Sequence, residues 1–205
     1  MPQTYKQAEH HISKINSTWD KIVSTVGPCT LQPHPDRQPY EGLIRAITSQ
    51  KLSSAATEAI IHRLCELYNQ TTFPTPQQIV DTDVEKLHSC GFSKLKAEAV
   101  HNIADAAIKK TLPSNDTIAH MSNQDLFDTL SKHKSVKRWT IEMYMIFTLG
   151  RLDVMPADDA TLRSQISHIF GLDSKPTVQD IEQLTAPCAP YQTIAAWYLW
   201  HYPKH

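Results

Sequence analysis

The stretch 133–166, HKSVKRWTIEMYMIFTLGRLDVMPADDATLRSQI, places a basic cluster before Trp139-Thr140, then a mostly apolar run, then two adjacent aspartates ahead of another helical pattern. The spacing predicts a helix over about 139–149, a loop, and a helix from about 159. Just upstream, SNQDLFDTLSKH (122–133) opens with the capping residues Ser122 and Asn123 and sets Leu126, Phe127 and Leu130 on one stripe. Two helices joined by a short basic turn are therefore expected over about 122–150.

Working outward, apolar residues recur at helical spacing almost throughout, with no sustained period-two alternation. Residues 4–26 read as one or two helices with Trp19, Ile22 and Val26 facing inward. The segment 40–68 reads as two helices, Leu43, Ile44 and Ile47 lining the first and Ala56, Ile60, Leu64 and Leu67 the second. The break falls in SQKLS, where Ser53 or Ser54 can cap the alanine-rich run. Helices at 76–89 and 94–110 flank the turn CGFS, and PYQTIAAWYLWHYP completes an all-α chain. The five glycines are scattered and the thirteen prolines gather in short connectors, which suits helices joined by Pro-bearing loops. At 205 residues the chain is expected to be one folding unit over 1–205.

No run of about 18 apolar residues offers a membrane span, and the N-terminus lacks the layout of a secretory signal. An intracellular protein with no membrane partner is expected. Cys29, Cys65, Cys90 and Cys188 lack the tight spacings of zinc or iron–sulfur sites, so no metal site is expected and buried thiols are the simplest reading. A formal net charge of −1 is unlike that of a strong nonspecific DNA binder. Any contact with nucleic acid must rest on a local basic face.

The segment 122–150 forms a candidate helix-hairpin-helix, whose turn amides and second helix N-terminus can hold a phosphate without reading sequence. Lys134, Lys137 and Arg138 would add charge to that grip. A solvated basic loop reads equally well from this segment alone. Asp158 and Asp159 can likewise be N-caps of the following helix, or one can cap while the other faces a cleft.

The order basic turn, W-T, apolar helix, L-G-R-x-D-V-x-P-x-D-D resembles the helix-hairpin-helix DNA glycosylase superfamily, in particular its 3-methyladenine DNA glycosylase II branch and that branch's fungal members. RAITSQKLSSAA, GFSKLKAEAV and APYQTIAAWYLW resemble three further segments of the family, so ordered matches run over roughly 35–203. The resemblance implies a two-lobed, all-helical fold with DNA in a cleft between the lobes and one nucleotide flipped from the stack. It places the catalytic carboxylate at Asp159, with Trp139, Tyr40 and Asp158 about the base. Trp139 can stack on a cationic base for about 1–2 kcal/mol, or serve as core; Tyr40 and Trp19 are weaker pocket candidates that also suit a core.

By the same resemblance, Lys51 and Leu52 enter the DNA where the nucleotide has left, and Phe92 is either a second wedge or a buried ring. Ser53, Ser54, Lys94, Ser135, Lys137, Arg138 and Thr140 fall at phosphate-binding positions. The family implies a monomer acting on duplex DNA with alkylated bases or abasic sites, in the nucleus of a eukaryotic cell. It needs no cofactor, although hairpins of this type can hold a monovalent cation beside the phosphate. A tryptophan at 139, where lyase branches carry lysine, disfavours Schiff-base chemistry.

Three positions depart from the family pattern. Ser135-Val136-Lys137 replaces a G-I/V-G hairpin, and the added Cβ of Ser135 is expected to strain or widen the turn for about 1 kcal/mol. Gln192 stands where arginine is common, and Lys51 where glutamine or an aliphatic residue is usual. Hydrolysis of the N-glycosidic bond of 3-methyladenine or 7-methylpurines is the leading expectation. The alternatives are recognition of abasic or damaged sites without excision, and a helical protein-interaction module with no DNA role.

Overall fold

In the computed structural model, which describes residues 3–203, the regular elements among the described residues are all helical. Their contacts divide the chain into one unit of residues 1–35 with 145–205 and another of residues 36–144.

The first unit begins with α1 (Gln3–Ser13) and α2 (Ser17–Val26). They are separate helices because Asn16 leaves helical geometry and accepts the Trp19 amide at 3.0 Å, a side-chain N-cap. Trp19 and Ile22 are buried as expected, whereas Val26 is only half-buried at the last position of α2 before Gly27.

The second unit contains α3 (Pro39–Ser49), α4 (Ser54–Glu66), α5 (Pro76–Val80), α6 (Val84–Ser89), α7 (Lys94–Ile108), α8 (Asn115–Ala119), α9 (Asn123–Leu130) and most of α10 (Arg138–Phe147). Its organising element is α7, which packs against α3, α5 and α6. Ala97, Val100, Ile103 and Ala104 form its buried face, on which each large apolar side chain removed from water contributes about 1.5–3 kcal/mol. The inner face of α4 is Thr57, Ile60, Ile61, Leu64 and Cys65. Leu67, expected on that face, lies at the helix end and is exposed.

The turn between α6 and α7 needs its glycine. Gly91 has φ of 106°, and a Cβ there would meet the Arg63 guanidinium at 2.7 Å. That reversal drives Phe92 inward, where it is only 1% exposed.

The chain then returns to the first unit through α11 (Ala160–Ile169), α12 (Val178–Thr185), a 3-10 turn (Ala186–Cys188) and α13 (Gln192–His201). α13 is apolar nearly all round and packs against α1, α2 and α11, as a central helix must. Two helices escape the apolar-period reading, α8 and α12. Each is short, and each is marked instead by its cap: Ser114 for α8, and a Thr177–Asp180 capping box for α12.

All four cysteines are free and buried. Burial pushes the Cys29 thiol up to about 11 and that of Cys188 to about 12, so both stay protonated and act as small apolar groups. No helix among the described residues is long and apolar enough to cross a membrane.

Candidate functional site

In the first unit, the loop from α10 to α11 aims a carboxylate. Gly150 has φ of 68° and lies so close to Pro33 that a Cβ would sit 3.1 Å from its ring, so the L-G-R turn tolerates no side chain there. Buried Thr193 staples the loop: its hydroxyl donates to the Arg151 carbonyl at 2.6 Å and accepts the Val154 amide at 3.0 Å. Its own amide donates to the Leu152 carbonyl at 2.9 Å. These bonds deliver the chain to Asp159, the N-cap of α11.

The two aspartates have parted roles. Oδ1 of Asp159 accepts the Leu162 amide at 2.7 Å and the Trp200 indole N–H at 3.0 Å. Trp200 is held in turn by stacking on Phe147, ring centroids 5.8 Å apart. A carboxylate gripped by a helix N-terminus and an indole keeps one orientation, which suits it to face a developing cationic sugar. Asp158, expected beside the base, is instead 66% exposed and pairs with Arg163 at 3.3 Å, turned to solvent because its neighbour occupies the cap. Arg163 is itself anchored by two bonds to the Pro176 carbonyl, at 3.0 and 2.8 Å.

In the second unit, the α3–α4 turn presents Lys51 and Leu52. Lys51 adopts φ of 57°, a left-handed conformation that costs a non-glycine residue about 1 kcal/mol. Both side chains are exposed, Leu52 at 40%, which places an apolar group and a cation together at the apex. Ser53 caps α4 by accepting the Ala56 amide at 3.2 Å, and Ser54 is the first helical residue; both hydroxyl-bearing side chains are exposed. Lys94, the first residue of α7, is exposed too.

The α9–α10 hairpin does without glycine. Among the described residues, left-handed φ values occur at Lys51, Asn69, Lys110 and four glycines, none of them in 131–137. The expected strain at Ser135 is therefore absent: the turn closes in ordinary backbone geometry through Val136 N–H to His133 O at 2.8 Å, with the Val136 side chain buried. Ser135 Oγ accepts the Asn102 amide at 3.2 Å. Lys134 and Lys137 are exposed. Arg138 donates to Glu142 at 2.9 Å and lies over the Phe127 ring at 5.4 Å, yet its side chain stays 58% exposed.

Three candidate contacts are used otherwise. Thr140, expected on a phosphate, is fully buried and accepts the Gln50 side-chain amide at 2.8 Å. Phe92, read as either a wedge or a buried ring, is core. The Tyr40 hydroxyl donates to the Pro74 carbonyl at 3.0 Å and its ring packs on Phe73, so it secures the 73–74 segment rather than a base. Trp139 is half-buried in the first turn of α10, and Trp19 is core. Among residues not anticipated, Thr193, Trp200, Gln50 and Lys96 hold the presented groups in place. Each lies in a motif quoted above, but only the fold shows what it touches.

Residues 44–190 match the HhH-GPD superfamily of base excision DNA repair proteins. The chain is 59% identical over 201 residues to the alkylbase DNA glycosidase-like protein mag2 of Schizosaccharomyces pombe, covering 98% of this chain and 94% of that one. It is 39% identical over 201 residues to DNA-3-methyladenine glycosylase 1 of the same yeast, covering 97% and 87%. The solved S. pombe 3-methyladenine DNA glycosylase Mag1 in complex with abasic DNA superposes with a TM-score of 0.90 at 38% identity, covering 97% of this chain and all of that one. A DNA-3-methyladenine glycosidase from Bacillus halodurans follows at 0.76 and 26%, covering 94% and 87%. A family model over most of the chain and two yeast relatives at 59% and 39% identity agree, and the chain belongs to the HhH-GPD superfamily of base excision DNA repair proteins.

Proposed function

We propose that this protein binds damaged duplex DNA, flips out a nucleotide and hydrolyses the N-glycosidic bond of alkylated purines, with Asp159 as the catalytic carboxylate. The observation that carries this reading is the fixed Asp159 carboxylate at the N-terminus of α11. One relative adds support: the S. pombe 3-methyladenine DNA glycosylase Mag1, 39% identical to this chain and solved in complex with abasic DNA.

The chemistry asks little of the protein. A purine alkylated at N3 or N7 already carries positive charge, so C1′–N cleavage releases a neutral base and leaves the cationic character on the sugar. Asp159 stabilises that oxocarbenium-like sugar and orients or deprotonates the water that adds to C1′. Lys51 and Leu52 would fill the gap left by the extruded nucleotide, while Lys137, Arg138 and Lys94 would hold phosphates. On this reading the protein acts as a monomer and, in a eukaryotic cell, in the nucleus.

The test is single-turnover release of methylated purines from alkylated duplex DNA, with protein in excess, comparing wild type with Asp159→Asn. Asparagine is as good an N-cap as aspartate and keeps an oxygen for the Leu162 and Trp200 donors, so the variant should fold and melt as the wild type does. Its release rate should fall by about two to three orders of magnitude. Equal release by both proteins would remove Asp159 from the reaction.

A second reading is recognition of abasic or damaged sites without excision. It is motivated by the three departures, at Ser135-Val136-Lys137, Lys51 and Gln192, which alter the DNA-handling positions and leave Asp159 in place. No release from a folded protein that prefers abasic over intact duplex would select it, and binding to neither duplex at low salt would overturn both readings.

A further inference from the structure

We infer that Lys96 is a positioning residue for the DNA-inserting turn: its ammonium group holds the C-terminal end of α3 so that Lys51 and Leu52 are presented as a fixed wedge. The inference rests on the DNA-binding reading above and assigns a task within it to a side chain outside the turn.

The argument begins with the carbonyls that end a helix. The last turn of α3 leaves C=O groups with no amide four residues on, and each must find another donor. Ile47 O accepts the Gln50 amide at 3.3 Å, and Ser49 O accepts the Leu52 amide at 3.1 Å. The carbonyls of Thr48 and Gln50 have no such local donor. Lys96 Nζ reaches both, at 2.9 and 2.7 Å, from a position 46 and 48 residues away in sequence.

One ammonium group thus ties together two carbonyls just ahead of the point where the backbone turns left-handed at Lys51. A cation there also opposes the negative end of the α3 dipole. Lys96 is half-buried, and desolvation holds its pKa below the usual lysine value, as befits a charge kept for the inside of the protein rather than for a phosphate. A second tie, from the Gln50 side chain to Thr140 at 2.8 Å, fixes the same turn to the first turn of α10, next to Lys137 and Arg138. The wedge is consequently linked to the starts of both α7 and α10, the helices whose exposed first residues are Lys94 and Arg138.

The experiment uses the full-length protein and has two parts. Amide hydrogen exchange compares wild type with Lys96→Met and Lys96→Gln in the absence of DNA. The Met variant should speed exchange at Leu52 and its neighbours in 48–53 at least tenfold, leaving α7 and α9 unaltered. The Gln variant, with one neutral amide for two charged bonds, should fall between. It also keeps the comparison decisive if the Met variant fails to fold. Unchanged exchange at 48–53 in the folded variants would overturn the inference.

The second part uses a duplex with a tetrahydrofuran abasic analogue opposite 2-aminopurine, whose fluorescence reports insertion. Lys96→Met should retain affinity within about threefold while losing most of the fluorescence change. A full change in this variant would also overturn the inference. If the wild type itself neither binds the duplex nor alters its fluorescence, the DNA-binding reading is what fails, and the exchange result still decides whether Lys96 holds the turn.

Discussion

The second unit contains two turns that join helices at exposed, polar apices, and they are built on opposite principles. The α3–α4 turn is strained and externally braced: Lys51 is left-handed, and the carbonyls around it are satisfied by Lys96 from another helix. The α9–α10 hairpin is relaxed and internally anchored, with ordinary φ throughout, one short backbone bond and the Val136 side chain driven into the core. Strain braced from another helix holds the exposed Lys51 and Leu52 side chains in one presentation. A relaxed turn needs no such help to offer amides and cations to a phosphate. The difference teaches that a hairpin can close without glycine, because its backbone never calls for a left-handed residue.

The largest effect should come from removing the hairpin's anchor. Val136→Ala deletes two buried methyl groups and should cost about 2 kcal/mol in urea unfolding, with duplex affinity falling as the turn loosens. An equally stable, equally tight-binding variant would show that the hairpin is not anchored through its core side chain. Next, Thr140→Val leaves the Gln50 amide without its acceptor at nearly constant volume, and should cost about 1 kcal/mol. Its exchange signature should appear at 48–53 rather than at 131–137. Faster exchange in the hairpin instead would mean that the tie supports the relaxed turn and not the strained one.

The comparison also separates what the sequence discloses from what it hides. Helices and caps are legible because they are local: Ser53, Ser122 and Asp159 announce their helices within three residues. Asp159 could be read as a cap or a functional carboxylate, and the structure makes it the cap while Trp200 supplies a second donor. Phe92 stays open between wedge and buried ring in the sequence, and the left-handed Gly91 turns the chain inward and makes it core. Thr140 is placed on a phosphate by resemblance alone, and nothing local reveals Gln50, ninety residues earlier, as its partner. Lys96 stands in plain view inside GFSKLKA, yet its two acceptors are remote. Whatever acts through tertiary contact stays hidden until the fold brings it together.

Lys51→Gly tests the strained side directly. Glycine accepts the left-handed conformation freely, so the variant should gain up to about 1 kcal/mol of stability, less the entropy of a more flexible unfolded chain. It should at the same time hold abasic duplex less well, because the cation at the apex is gone. Greater stability together with unchanged DNA retention would detach the strain from any role in insertion.

Ser135→Gly is the smallest effect and the sharper test of the relaxed turn. If the hairpin were strained by its serine, glycine would stabilise it by about 1 kcal/mol, the outcome expected from the sequence pattern alone. Position 135 does not adopt a left-handed φ, so glycine relieves nothing. It removes the acceptor of the Asn102 bond and adds freedom to the unfolded chain. The variant should therefore be less stable by about 0.5–1 kcal/mol, the reverse in sign of Lys51→Gly. Matched urea titrations of the two glycine variants read that sign directly, and a gain at position 135 would mean that the two turns are strained alike.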